Sequence, residues 1–191
     1  MIILYVHGLS SSGQSGTVDL LRKYYPQAYI MAPDLPLDPF DALDMLRETC
    51  MVNSPDLIIG TSMGGMFAQQ LYGHKKILVN PAFRICDVLR RSKGENKFFN
   101  RRLDGARTFI IDDPLIEAYE EFTRTQFDNI PADENSLTFG MFGRNDERID
   151  DSDLFLGHYT NITWFEGGHR LNDKILKEYV VPQINAVMKE S

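Results

Sequence analysis

Cysteine is scarce: the 191 residues contain only Cys50 and Cys86, at no metal-binding or redox spacing. Two thiols so placed make neither a disulfide-stapled scaffold nor a Cys-based metal site, and they fit a reducing, cytoplasmic setting. Long hydrophobic runs are missing, and none approaches the ~20 residues a membrane span needs. Met1–Gly8 has no basic leader, and its apolar run is too short for a signal peptide; it is expected to be a strand. Internal repeats and low-complexity linkers are also absent. Basic charge is in deficit, with 20 Lys and Arg against 27 Asp and Glu and a net charge of −7, which argues against general nucleic-acid binding. The length suits one domain spanning residues 1–191, with a full core.

Apolar runs alternate with helical stretches, a pattern that predicts a parallel sheet with crossover helices. Strands are expected at 2–6, 28–32, 56–60, 76–80, 136–142 and 161–165. Asp38-Pro39 looks like an N-cap with a first-turn proline, followed by Phe40, Leu43, Leu46 and Cys50 at helical spacing. Gly73 is a candidate terminator of the helix that follows residue 62. Asn172 is a candidate cap for a last helix, which Pro182 should kink or split. About fifty residues separate the strands at 76–80 and 136–142, too many for a simple crossover. Residues 81–135 are therefore expected to be a cap or lid over the C-terminal edge of the sheet, with a helix around Asp113–Phe127.

Gly60-Thr61-Ser62-Met63-Gly64 follows the apolar Asp56-Leu57-Ile58-Ile59 and opens into Gly65–Leu71. Gly-x-Ser-x-Gly between strand and helix puts the serine on a tight turn, its hydroxyl pushed out at the sheet edge. A serine hydroxyl needs a neighbouring base, itself oriented by a third group. Of the four histidines, His7, His74, His158 and His169, the best placed is His169. It leaves the predicted strand at 161–165 through Glu166-Gly167-Gly168. Asp146 is the first acid after the strand ending in Gly140-Met141-Phe142-Gly143, and Glu147 and Asp150 stand close enough to compete. The residue after the serine, Met63, and the loop residue Leu9 would give backbone N–H donors for an oxyanion. His7 and Gly8 would shape that loop, with His7 in a structural role. No metal or organic cofactor is implied.

Charge is uneven along the chain. Residues 84–107 carry eight basic groups against three acids, and residues 112–134 reverse the balance. Either the two segments neutralise one another, or the first forms a basic lip for an anionic substrate, with Arg101 and Arg102 as the positions to test. Phe98, Phe99 and Phe109 either line an acyl pocket or pack the cap onto the body.

The order Ser62, Asp146, His169 is that of α/β-hydrolases. More narrowly, the chain resembles the small bacterial YqiA/YcfP-like esterases, the family UPF0227. The matching segments are Leu4–Ser11, Gly60–Gly65, Val79-Asn80-Pro81-Ala82-Phe83-Arg84, Gly143–Glu147 and Glu166–His169. The resemblance implies a minimal α/β-hydrolase, a three-layer α/β/α sandwich with about six parallel strands in the order 2-1-3-4-5-6 and a small cap insertion. It also implies hydrolysis of short acyl esters by Ser62, Asp146 and His169. The expected partner is thus a small-molecule acyl ester. A thioesterase or amidase with the same residues, and a binding protein on the same scaffold, remain open, as does the oligomeric state.

Overall fold

The computed structural model describes residues 1–189. The chain begins with β1 (Ile2–Val6), α1 (Gly16–Tyr24), β2 (Tyr29–Met31), α2 (Pro39–Asn53), β3 (Leu57–Thr61), α3 (Met63–Gln69) and β4 (Lys76–Val79). A long segment follows, built of α4 (Ile85–Arg91), the antiparallel hairpin β5 (Gly94–Lys97) and β6 (Thr108–Ile111), and α5 (Asp113–Arg124). The chain closes with α6 (Glu134–Leu137), β7 (Thr138–Gly143), α7 (Ser152–Leu156), β8 (Ile162–Phe165), α8 (Asp173–Ile175) and α9 (Val181–Lys189).

Six strands form one parallel sheet in the order β2-β1-β3-β4-β7-β8. Its strands are short continuous apolar runs because helices cover both faces. Alternate residues serve opposite sides, as strand geometry requires. Leu4, Val6, Ile58 and Leu78 pack toward α2, α3, α4 and α5. Ile3, Tyr5, Ile59, Ile77 and Val79 pack toward α1 and the C-terminal helix. The register pairs Val6 with Gly60, Thr61 with Val79, and Gly143 with Phe165. The C-terminal ends of β1, β3, β4, β7 and β8 therefore come out along one edge.

Several boundaries differ from the sequence expectation. The strand expected at 136–142 begins at Thr138, because Glu134–Leu137 forms a helical turn instead. That turn carries the Glu134 carboxylate into the core, where it pairs with Lys76, both side chains fully buried. The helix after Ser62 ends at Gln69, earlier than Gly73, which sits beyond it with φ +78° and donates its N–H to Glu134. The helix expected through Phe127 stops at Arg124, with Asp112 as its N-cap. The last helix is interrupted beside Pro182: the turn before it, Leu176–Val180, widens to a π-helix in which the Val181 amide donates to the Leu176 carbonyl. Asp38 caps α2 through the amides of Phe40 and Asp41, with Pro39 at its first position. Among the described residues, no helix is long and apolar enough to cross a membrane.

Candidate active site

Ser62 stands between β3 and α3 with φ 55° and ψ −125°, a conformation that residues other than glycine rarely adopt. The surrounding glycines make the strain possible. A Cβ on Gly60 would lie 2.4 Å from the Gly64 carbonyl oxygen, and one on Gly64 would lie 2.0 Å from that of Val6. Strand and helix approach too closely here for any side chain.

His169 and Asp146 reach Ser62 from the loops after β8 and β7. The Ser62 Oγ lies 3.0 Å from His169 Nε2, and His169 Nδ1 lies 2.7 Å from Asp146 Oδ2. A carboxylate only accepts, so Nδ1 carries the ring proton, and Nε2 of the neutral ring is free to accept from the serine hydroxyl. The Asp146 side chain is 3% exposed. Burial works against its charge, yet the hydrogen bonds from His169 and from the amides of Arg148 and Ile149 outweigh burial and hold the carboxyl below its ordinary range. Neither Glu147 nor Asp150 takes this position; Asp150 is bound to Ser152.

Asn80 links the two loops. It lies just past β4 with φ 43°, is 2% exposed, and accepts from the Gly143 amide through Oδ1. Its Nδ2 donates to the carbonyl oxygens of Gly168 and His169. Asparagine is among the few residues that tolerate this backbone and still offer a donor and an acceptor at one tip. Sequence reasoning gave Asn80 no role. Its only sequence signal is an Asn-Pro pair directly after a buried strand.

The loop after β1 passes against the serine, for a Cβ on Gly8 would sit 3.1 Å from Ser62 Cβ. The amides of Leu9, in this loop, and of Met63, at the N-terminus of α3, have no acceptor among the described residues. His7 is buried and turned away from the serine. Its Nδ1–H donates to the Gly8 carbonyl, and its Nε2 accepts from the Leu35 amide. Burial pushes its pKa below the ordinary imidazole value. His158 stacks face to face on Phe127, at 4.2 Å between ring centres.

A cleft of about 930 Å³ opens over Ser62 and His169. Of the eight basic groups in residues 84–107, four are paired with carboxylates. Arg84 is paired with Asp151 and Asp153, Arg90 with Asp87 and Glu120, and Lys93 with Asp113. Arg102 is 8% exposed, lies over the Phe98 ring, is paired with Asp104 and donates to the Leu35 carbonyl. Phe98 and Phe109 pack on one another at 4.6 Å, while Phe99 is exposed and faces the cleft. Among the described residues, no group of three His, Cys, Asp or Glu side chains is placed to hold a metal ion.

The profile of the family described as "Uncharacterised protein family (UPF0227)" matches residues 2–186. Among solved structures, the chain is similar to Est1E from Butyrivibrio proteoclasticus, with 14% identity, a TM-score of 0.66, and 98% of this chain and 88% of that one covered. It is similar to the alpha/beta hydrolase domain-containing protein 10 from mouse, with 12% identity, a TM-score of 0.66, and coverage of 99% and 89%. It is also similar to the methylesterase protein MES16 from Arabidopsis, with 12% identity, a TM-score of 0.60, and coverage of 97% and 99%. At these identities the likeness concerns the fold, which is that of the α/β-hydrolases.

Proposed function

The chain belongs to the family UPF0227 and has the α/β-hydrolase fold, and from that premise we propose that it is a serine esterase acting on small carboxylic esters. The observation that carries this reading is the continuous hydrogen-bond series Ser62 Oγ, His169 and Asp146, at 3.0 and 2.7 Å. In the first step Ser62 Oγ attacks the ester carbonyl carbon while His169 Nε2 takes the hydroxyl proton. Asp146 steadies the imidazolium that forms. The unengaged amides of Leu9 and Met63 receive the oxyanion, and the N-terminus of α3 favours its charge. Collapse of the tetrahedral intermediate expels the alcohol, protonated by His169, and leaves an acyl-serine. Water, deprotonated by the same nitrogen, then releases the acid and restores the serine. Residues 81–135 act as a cap that shapes the cleft.

The test is hydrolysis of 4-nitrophenyl butyrate by the wild type, Ser62→Ala and Asp146→Asn. The expected result is a fall in kcat of roughly 10³-fold or more for each variant, with folding preserved. Wild-type rates in Ser62→Ala would overturn the reading.

A further inference from the structure

Three arginines line the cleft over Ser62, each from a different part of the fold: Arg91 at the C-terminal end of α4, Arg148 in the loop after β7, and Arg170 beside His169. We propose that they form a subsite for an anionic group, a carboxylate or a phosphate, on the substrate away from the reacting carbonyl. The inference rests on the esterase reading and adds the substrate class.

Their charges are unspent. Arg84, Arg90, Lys93 and Arg102, from the same stretch of chain as Arg91, each have a carboxylate partner. The arginines in the cleft have none among the described residues. Arg91 uses only its Nε, which donates to the Asp87 carbonyl, so both terminal NH2 groups are free. Arg170 lies over the exposed ring of Phe99 at 5.1 Å. That contact uses the face of the guanidinium and takes up none of its N–H donors, which are suited to a two-pronged grip on an oxyanion. Among the described residues, the Arg148 side chain has no hydrogen-bond or ion-pair partner. Asp146, two residues before Arg148, is engaged with His169 and two amides. Among the described residues that line the cleft, Glu147 is the one acid against the three guanidiniums.

The local balance is therefore positive in a chain whose net charge is −7. A positive, concave site in an acidic protein concentrates anions that the rest of the surface repels. The oxyanion of the reaction has its own donors in the Leu9 and Met63 amides, so these guanidiniums are left for a different part of the substrate. The ester thus carries its anionic group either on the acyl chain or on the alcohol.

The experiment compares neutral 4-nitrophenyl butyrate with three charged esters: mono-4-nitrophenyl succinate, 4-nitrophenyl 3-phosphonopropanoate and 4-butyryloxybenzoate. The quantity read is the ratio of KM for each charged ester to KM for the neutral one. In the wild type the ratio for the preferred ester is below one at low salt and rises toward one as salt screens the charges. Arg91→Gln, Arg148→Gln and Arg170→Gln each raise it about 3- to 10-fold, and the triple variant more. Arg124→Gln, an arginine outside this cleft, leaves it unchanged. The preferred ester identifies carboxylate or phosphate, and acyl or alcohol side. A triple variant whose ratios equal those of the wild type for all three esters overturns the inference. Failure of the wild type to hydrolyse any ester, neutral included, would instead contradict the esterase reading. Calorimetric binding of succinate and inorganic phosphate to Ser62→Ala then decides the subsite: binding that the triple arginine variant abolishes supports it, and no binding overturns it.

Discussion

The Asn80 amide holds the His169 main chain in place, with Nδ2 donating to the His169 carbonyl at 3.3 Å while Oδ1 receives the Gly143 amide at 2.8 Å. One side chain thus ties together the loops that carry Asp146 and His169. Its position next to β4, in the middle of the sheet, makes the sheet the reference for both.

Asn80→Ala should therefore lower kcat roughly 10- to 100-fold with little change in KM, because the reacting groups lose alignment while the cleft is intact. Steady-state kinetics on 4-nitrophenyl butyrate, with thermal melting as a control for folding, checks this. A raised KM with unchanged kcat would show that Asn80 serves the cleft and not the alignment.

Gly64→Ala places a methyl group 2.0 Å from the Val6 carbonyl oxygen, which is backbone and cannot swing aside. The expected cost is about 1–3 kcal/mol or more, read as a lowered Tm. A variant as stable as the wild type would mean that strand and helix part more easily than this packing implies.

His7 gives the protein a pH-dependent stability. Its folded pKa lies below the ordinary value because burial disfavours the charged ring. The unfolded chain takes up that proton near pH ~6.5 and the folded chain only at lower pH. Protons thus favour unfolding in that window, and stability falls as pH drops from about 7 toward 5. His7→Gln should flatten this part of the curve when urea midpoints are measured across pH. An unchanged slope would assign it to another group.

Lys76 and Glu134 form a fully buried pair, and burial pushes the lysine pKa down while Glu134 pushes it back up. Glu134→Gln should cost about 3–5 kcal/mol, since it strands a buried ammonium. The double variant Lys76→Met, Glu134→Leu should recover much of that loss. Denaturant unfolding that finds the double variant as unstable as Glu134→Gln, or more so, would contradict the pairing.

The sheet was legible in the sequence because its strands are buried on both sides and read as apolar runs between helical stretches. Ser62, Asp146 and His169 were legible for a related reason: each lies at or just beyond the C-terminal end of such a strand. The hairpin β5–β6 was not, because Gly94-Glu95-Asn96-Lys97 has no apolar alternation and pairs only with a half-buried partner. The helical turn at Glu134–Leu137 escaped because its anchor is an ion pair with Lys76, distant in the sequence. The charge runs left two readings open for the same reason. Composition shows how many arginines a segment holds but not which acids reach them, so the unpaired set of Arg91, Arg148 and Arg170 appears only in three dimensions. Asn80 acts through side-chain bonds to main-chain atoms 63 to 89 residues away, which leave no periodic trace.

Activation of the Ser62 hydroxyl is read out by treating the purified protein with a fluorophosphonate and measuring intact mass for the wild type, Ser62→Ala and His169→Ala. The expected result is one adduct on the wild type, none on Ser62→Ala, and labelling slowed by orders of magnitude in His169→Ala. A folded wild type that takes up no adduct, or a Ser62→Ala variant that labels as fast as the wild type, would contradict that activation.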